Sequence, residues 1–129
     1  MHSRPKVAAI FALASAVPSF AAESFSELVA RADELASKGV GLHYDNVVGK
    51  FAAETFGLTM KHCLDVTPHP DRTHFDVLVV LGETGTAEQF LVQPETNLSQ
   101  CVSTAIQSAS FPHPPQAHYP VHLSWGFKS

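Results

Sequence analysis

Apolar residues recur every three or four positions in the first half of the chain, alternate in the middle, return to helical spacing once, and alternate again at the end. In SFSELVARADELASKG, Phe25, Leu28, Val29, Ala32, Leu35 and Ala36 share one helical face; Ser24 with Glu27 forms a capping-box pattern and Gly39 supplies a stop. This predicts an amphipathic helix over 24–38. The following GVGLHY reads as a turn, after which Asp45 can cap a second helix whose apolar face carries Val48, Phe51, Ala52, Phe56, Met60 and Cys63. Gly49 and Gly57 are expected to weaken or divide that helix. DVTPHPDRT, with two prolines and mostly polar neighbours, is a loop.

From His74 the period changes. FDVLVVL is short, rich in β-branched residues and bounded by turn formers, GETG suits a hairpin, and TAEQFLVQ follows as a second strand. Both faces of FDVLVVL are apolar, so this strand is expected to be central or covered on both sides. In PETNLSQCVSTAIQSAS, Asn97 with Gln100 can cap a helix, and Leu98, Cys101, Val102, Ala105, Ile106 and Ala109 form one stripe. Asn97 to Ser99 also matches an N-glycosylation acceptor, but capping is the role expected of Asn97. The prolines of SFPHPPQAHYP forbid that helix from continuing and make a stiff crossover. In HYPVHLSWGFK, Tyr119, Val121, Leu123, Trp125 and Phe127 face one side, with His118, His122 and Ser124 on the other. The order describes an α+β domain: a small three-stranded antiparallel sheet, built strand-strand-helix-strand, with two preceding helices packed on it.

Composition adds compartment rather than fold. The 129 residues, 45% of them hydrophobic, fit one globular domain. The basic start (His2, Arg4, Lys6), the run VAAIFALASAVPSF and the small residues near Ala21 and Ala22 read as a secretory signal peptide over 1–21. The run is shorter than the ~20 apolar residues of a span and Pro18 interrupts it, so no stable membrane anchor is expected. Cleavage would remove Arg4 and Lys6 and no acid, taking the formal charge from −4 to −6 for the domain at 22–129. Such an acidic surface is a poor match for nucleic acid.

Export gives the two cysteines their first reading. Cys63 and Cys101 form an even pair in an oxidising compartment, hence an expected disulfide. The competing reading, a catalytic thiol at Cys63 beside His62, has no electropositive cluster around it. The histidines beyond the leader raise metal binding through surface imidazoles as a lesser alternative. Their spacing does not prearrange a site: His118 and His122 on one extended strand sit about 13 Å apart. No metal or cofactor is assigned, no nucleophile motif occurs, and no enzymatic activity is expected.

Cys63, FDVLVVLGETGTAEQFLVQPET, Cys101, FPHPP and VHLSWGF follow one another in an order that resembles the TonB carboxy-terminal domain superfamily, particularly its disulfide-containing periplasmic relatives. The similarity covers a core of about 58–128 and leaves the helix at 24–38 as an addition. It implies a non-enzymatic periplasmic module that binds a protein or peptide of the cell envelope through a sheet edge or exposed sheet face. A homodimer is a further expectation. The last strand is the expected edge, with His118, Pro120, His122 and Ser124 as partner-binding residues. A periplasmic immunity or inhibitor protein, neutralising a toxin or enzyme, is the alternative.

Overall fold

Ser24 starts the first helix as its capping box predicts. Its Oγ accepts from the Glu27 amide at 3.1 Å, and Glu27 Oε1 accepts from the Ser24 amide at 2.8 Å, so two amides without helical partners are satisfied reciprocally. A computed structural model describes residues 24–128, and in it this helix, α1, spans Phe25–Leu35. The leader at 1–21 lies outside the described residues. α1 ends three residues earlier than its pattern predicts: Ser37 Oγ caps the Glu34 carbonyl at 2.6 Å, and Gly39 turns the chain with φ +61°.

The second helix departs further from expectation. GVGLHY is no turn, Asp45 caps nothing, and the glycines divide nothing: α2 runs unbroken over Gly39–Val66, its N-cap Lys38 without a side-chain bond. Tertiary contacts supply what local signals lack. Tyr44, Val48, Phe56 and Cys63 bury one face, and Tyr44 Oη donates to the Pro112 carbonyl at 2.6 Å while its ring meets Tyr119 edge-on. At Gly41 a Cβ would collide with the Leu35 carbonyl, so α1 and α2 can cross only where a side chain is missing.

β1 (Phe75–Leu81) is central in a three-stranded sheet of order β2-β1-β3, antiparallel to β2 (Ala87–Gln93) and β3 (Tyr119–Trp125). Val79 pairs with Phe90 and Val121, and Leu78 with Leu91 and His122, which fixes the two faces. Phe75, Val77, Val79 and Leu81 look toward α2 and α3 (Asn97–Ser108) and join Phe56, Leu98, Val102, Ile106, Phe111 and Leu123 in the main core. Leu78 and Val80 look the opposite way and pack against Leu28 and Ala32 of α1. The added helix therefore covers the second face of the sheet.

Three fastenings hold the layers in register. The Cys63–Cys101 disulfide joins the end of α2 to the start of α3 with Cα atoms 5.8 Å apart. Phe111 places its ring 5.2 Å from Phe51 and donates its amide to the Gly85 carbonyl at 3.0 Å, tying the proline crossover to the hairpin. Thr96 rather than Asn97 caps α3, with Ser99 rather than Gln100 completing the box. Asn97 is engaged elsewhere: it accepts from the Asp71 amide at 2.9 Å and donates to the Pro68 and His69 carbonyls at 3.3 and 3.2 Å, pinning the loop before β1. No helix among the described residues is long and apolar enough to cross a membrane.

Candidate functional site

Alternation puts Pro120, His122 and Ser124 on the α1 side of β3, as the sequence predicts, whereas His118 lies just before the strand with φ +54°, outside the alternation; nor is that side open. Pro120 is buried and His122 is 21% exposed, so the expected row of accessible residues is reduced to its two ends. The first half of β3 is also flanked by both helices. Ala32, Asp33, Tyr44, Val48, Pro120 and His122 contribute to a cavity of about 20 Å³, room for roughly one water. Further along, Leu123 to Trp125 lie beside Gly49, Ala53 and Gly57 of α2. Pro120 itself lacks an N–H, and within a sheet that is tolerated where the missing donor lies off the ladder.

Under α1 the polar residues of three elements converge. His122 Nδ1 lies 3.0 Å from Asp33 Oδ1 and its Nε2 lies 2.9 Å from Asp76 Oδ1, so one imidazole spans a helix and the central strand. With a carboxylate at each nitrogen, both must carry hydrogen for both contacts to be bonds. Burial alone would depress the His122 pKa, but the bonds to Asp33 and Asp76 and their charges outweigh it, and the value is raised. Asp76 is the counterpart. Its partial burial would raise its pKa, yet bonds from His122, Ser124 and His74 together with the His122 charge lower it.

Ser124 and His74 complete the cluster in a way that limits its chemistry. Ser124 Oγ donates to Asp76 Oδ1 at 2.8 Å, and His74 Nε2 faces that hydroxyl at 3.0 Å. The same Nε2 is also the atom nearest Asp76, at 3.4 Å. A nucleophilic relay needs the hydroxyl on one ring nitrogen and the carboxylate on the other, so this arrangement orients a structural carboxylate rather than activating Ser124. His118 stands apart, its Nδ1 2.7 Å from Glu88 Oε1 at the hairpin end of the sheet. Among the described residues no group of three or more His, Cys, Asp and Glu side chains is placed to hold a metal ion.

The opposite edge has a different character. β2 pairs only with β1 among the described residues, and its outer side borders a groove of about 860 Å³. Register assigns the walls. Gln89, Leu91 and Gln93 pair with Val80, Leu78 and Asp76 and so share the α1 face, where Phe25 forms the upper wall. Phe90 and Val92 belong to the face of Val79 and Val77, where Gln100, Ser103 and Gln107 of α3 form the lower wall. Sequence reasoning missed this edge. The available signal was EQFLVQ, a strand with only one charged residue and no proline within it. The chain matches no family model, no curated protein and no solved structure.

Proposed function

We propose that this chain is an exported, non-catalytic binding domain of the periplasm that accepts an extended segment of an envelope protein as a fourth strand beside β2. The observation that carries the reading is the outer side of β2, unpaired among the described residues, opening into a groove walled by α1 and α3. Every other residue of an edge strand turns its N–H and C=O away from the sheet, and an incoming strand satisfies them. From Gln89 to Gln93 the edge runs roughly 14 Å, enough for a segment of about five residues. The Cys63–Cys101 bond and the leader-like start favour an oxidising compartment. The mode of binding agrees with the resemblance to TonB carboxy-terminal domains. The edge differs, because the last strand of this chain is flanked by α1 and α2.

Selection of random peptides on the folded domain 22–129, followed by amide hydrogen exchange with a selected peptide, tests the reading. Protection is expected at alternate amides between Glu88 and Gln93. A peptide that binds with protection concentrated in Tyr119–Trp125, or with none in β2, would refute it.

A further inference from the structure

The β2 edge is complementary to itself, and we infer that its resting occupant is a second copy of this chain, paired antiparallel about a two-fold axis at Leu91. This inference rests on the strand-addition reading above and names the strand that fills the edge until an envelope segment displaces it.

From Gln89 to Gln93 the strand reads Gln-Phe-Leu-Val-Gln, the same order of polar and apolar residues in both directions. An antiparallel copy centred on Leu91 sets Leu91 opposite Leu91, Phe90 opposite Val92 and Gln89 opposite Gln93. Faces match as well, because a two-fold axis normal to the sheet keeps each face of one copy continuous with the same face of the other. On the α1 face the half-buried Leu91 meets its equivalent between two pairs of exposed glutamines. On the α3 face the half-buried Phe90 and Val92 meet each other twice. Apolar surface covers apolar surface, and each amide faces an amide, a group that both donates and accepts. The pleat allows the axis to move only by whole residues, which changes the pairing by two. Moving it to Phe90 or to Val92 puts Leu91 opposite a glutamine in either case, so the self-complementary register is also the specific one.

Charge favours the same surface. Two domains that each carry a formal −6 repel in most approaches, and least where neither is charged. Gln89 to Gln93 carry no charge, and the α3 wall beside them presents Gln100, Ser103 and Gln107. The acids stand at the ends. Glu88, 2.7 Å from His118, falls opposite Pro94 of the second copy and next to its Glu95. That approach of like charges, together with a contact only five residues long, makes a small and exchangeable interface that a ligand strand can replace.

Sedimentation and disulfide trapping test the inference on the folded domain 22–129, whose described residues include no free cysteine. Directly opposed residues of an antiparallel pair have Cα atoms about 4.5–5.5 Å apart, within disulfide reach, whereas two copies of Gln89 would lie about 14 Å apart. Leu91→Cys should therefore oxidise to a linked dimer and Gln89→Cys alone should not, while Gln89→Cys mixed with Gln93→Cys should link. The mixed pair uses exposed positions and keeps the test valid if Leu91→Cys disturbs the fold. Gln89→Glu with Gln93→Glu places like charges opposite each other twice and should weaken the dimer by about tenfold; Gln89→Lys with Gln93→Glu makes opposite pairs and should restore it. Raising salt from about 0.05 to 0.5 M should tighten the unsubstituted dimer by roughly threefold. A dimer that links in this register and that a β2-protecting peptide dissociates supports both readings. A protein that stays monomeric to about 1 mM, yet whose β2 is protected by peptides, overturns the self-pairing and leaves strand addition standing. A dimer in this register that no peptide displaces supports the second copy and refutes the envelope segment. Linking by Gln89→Cys alone as readily as by Leu91→Cys, or indifference to both charge variants, would overturn the inference.

Discussion

Replacing His122 by alanine removes a side chain that ties α1 to two strands, and the geometry sets the expected loss. The Nε2 contact to Asp76 is a partly buried, charge-assisted bond, a kind that contributes about 1.5–3 kcal/mol. Asp33 is 60% exposed, so solvent screening reduces the Nδ1 contact to roughly 0.5 kcal/mol. Asp76 keeps its bond from Ser124, which softens the penalty of an unpaired carboxylate. A loss of about 2–3 kcal/mol follows, equivalent to roughly 10 °C in Tm for a domain of this size.

The pH dependence has a sign. A raised His122 pKa means that the folded chain holds this proton more tightly than the unfolded one, so its contribution is complete below the ordinary value of 6.5 and is lost as pH rises through the raised value. For Asp76 the shift is downward, so its contribution is complete above 3.8 and is lost as pH falls through the lowered value. The clasp is therefore strongest between these limits. Asp45 of α2 borders the same cavity, and His74 and Ser124 face Asp76. Urea unfolding of the mature domain, followed by Trp125 fluorescence across about pH 4 to 9, measures it. His122→Ala should abolish most of the decline above pH 6.5, and amide exchange should quicken in α1 before it quickens in β1. Parallel decline in both proteins, or a difference below about 0.5 kcal/mol near pH 5.5, would refute the reasoning.

Other expectations concern the fastenings. Cys63→Ala with Cys101→Ala should fold yet lose roughly 3–4 kcal/mol in urea unfolding, the chain-entropy value for a closed loop of this length. Gly85→Ala should cost more than about 2 kcal/mol, since φ is +90° and a Cβ would collide with the Phe111 carbonyl; Gly49→Ala, mid-helix with open space around its Cβ, should stabilise by about 0.5–1 kcal/mol. Thr96→Ala should remove about 1 kcal/mol of cap from α3. Asn97→Ala should instead speed amide exchange at Asp71 while leaving the helix start protected.

The elements that local chemistry dictates could be read from sequence. α1 carries its own capping box, β1 its β-branched run, and β3 its alternation, and each forms where its pattern lies. What could not be read depends on distant partners. The first turn of α2 has two glycines and no cap, and it is helical because Tyr44 bonds the carbonyl of a residue 68 positions away. Asn97 and Thr96 carry equivalent capping signals one residue apart, and the choice falls to Thr96 because the 68–71 loop takes Asn97. His122 illustrates the same limit at the site. Its face was legible from period two, but whether that face meets water depended on where α1 docks, which no local pattern specifies.

Sheet edges carry the functional argument because a three-stranded sheet has two, and this chain treats them unequally. The β3 edge is blunted repeatedly: a proline within the strand, α1 and α2 on its flanks, and a histidine bridged to carboxylates on both sides. Those are devices by which natural proteins prevent strand addition. At β2 the protections stand at the two ends: the register slips between Val80 and Leu81 and Glu88 pairs with His118 at the hairpin, and Pro94 and Glu95 follow Gln93. Between them, Gln89 to Gln93 offer five uncharged residues with an unpaired backbone, the composition that invites aggregation when left without purpose. An edge protected at its two ends, and open between them for the length of a short peptide, is better explained by use than by neglect. That asymmetry turns attention from the last strand, where resemblance pointed, to the second.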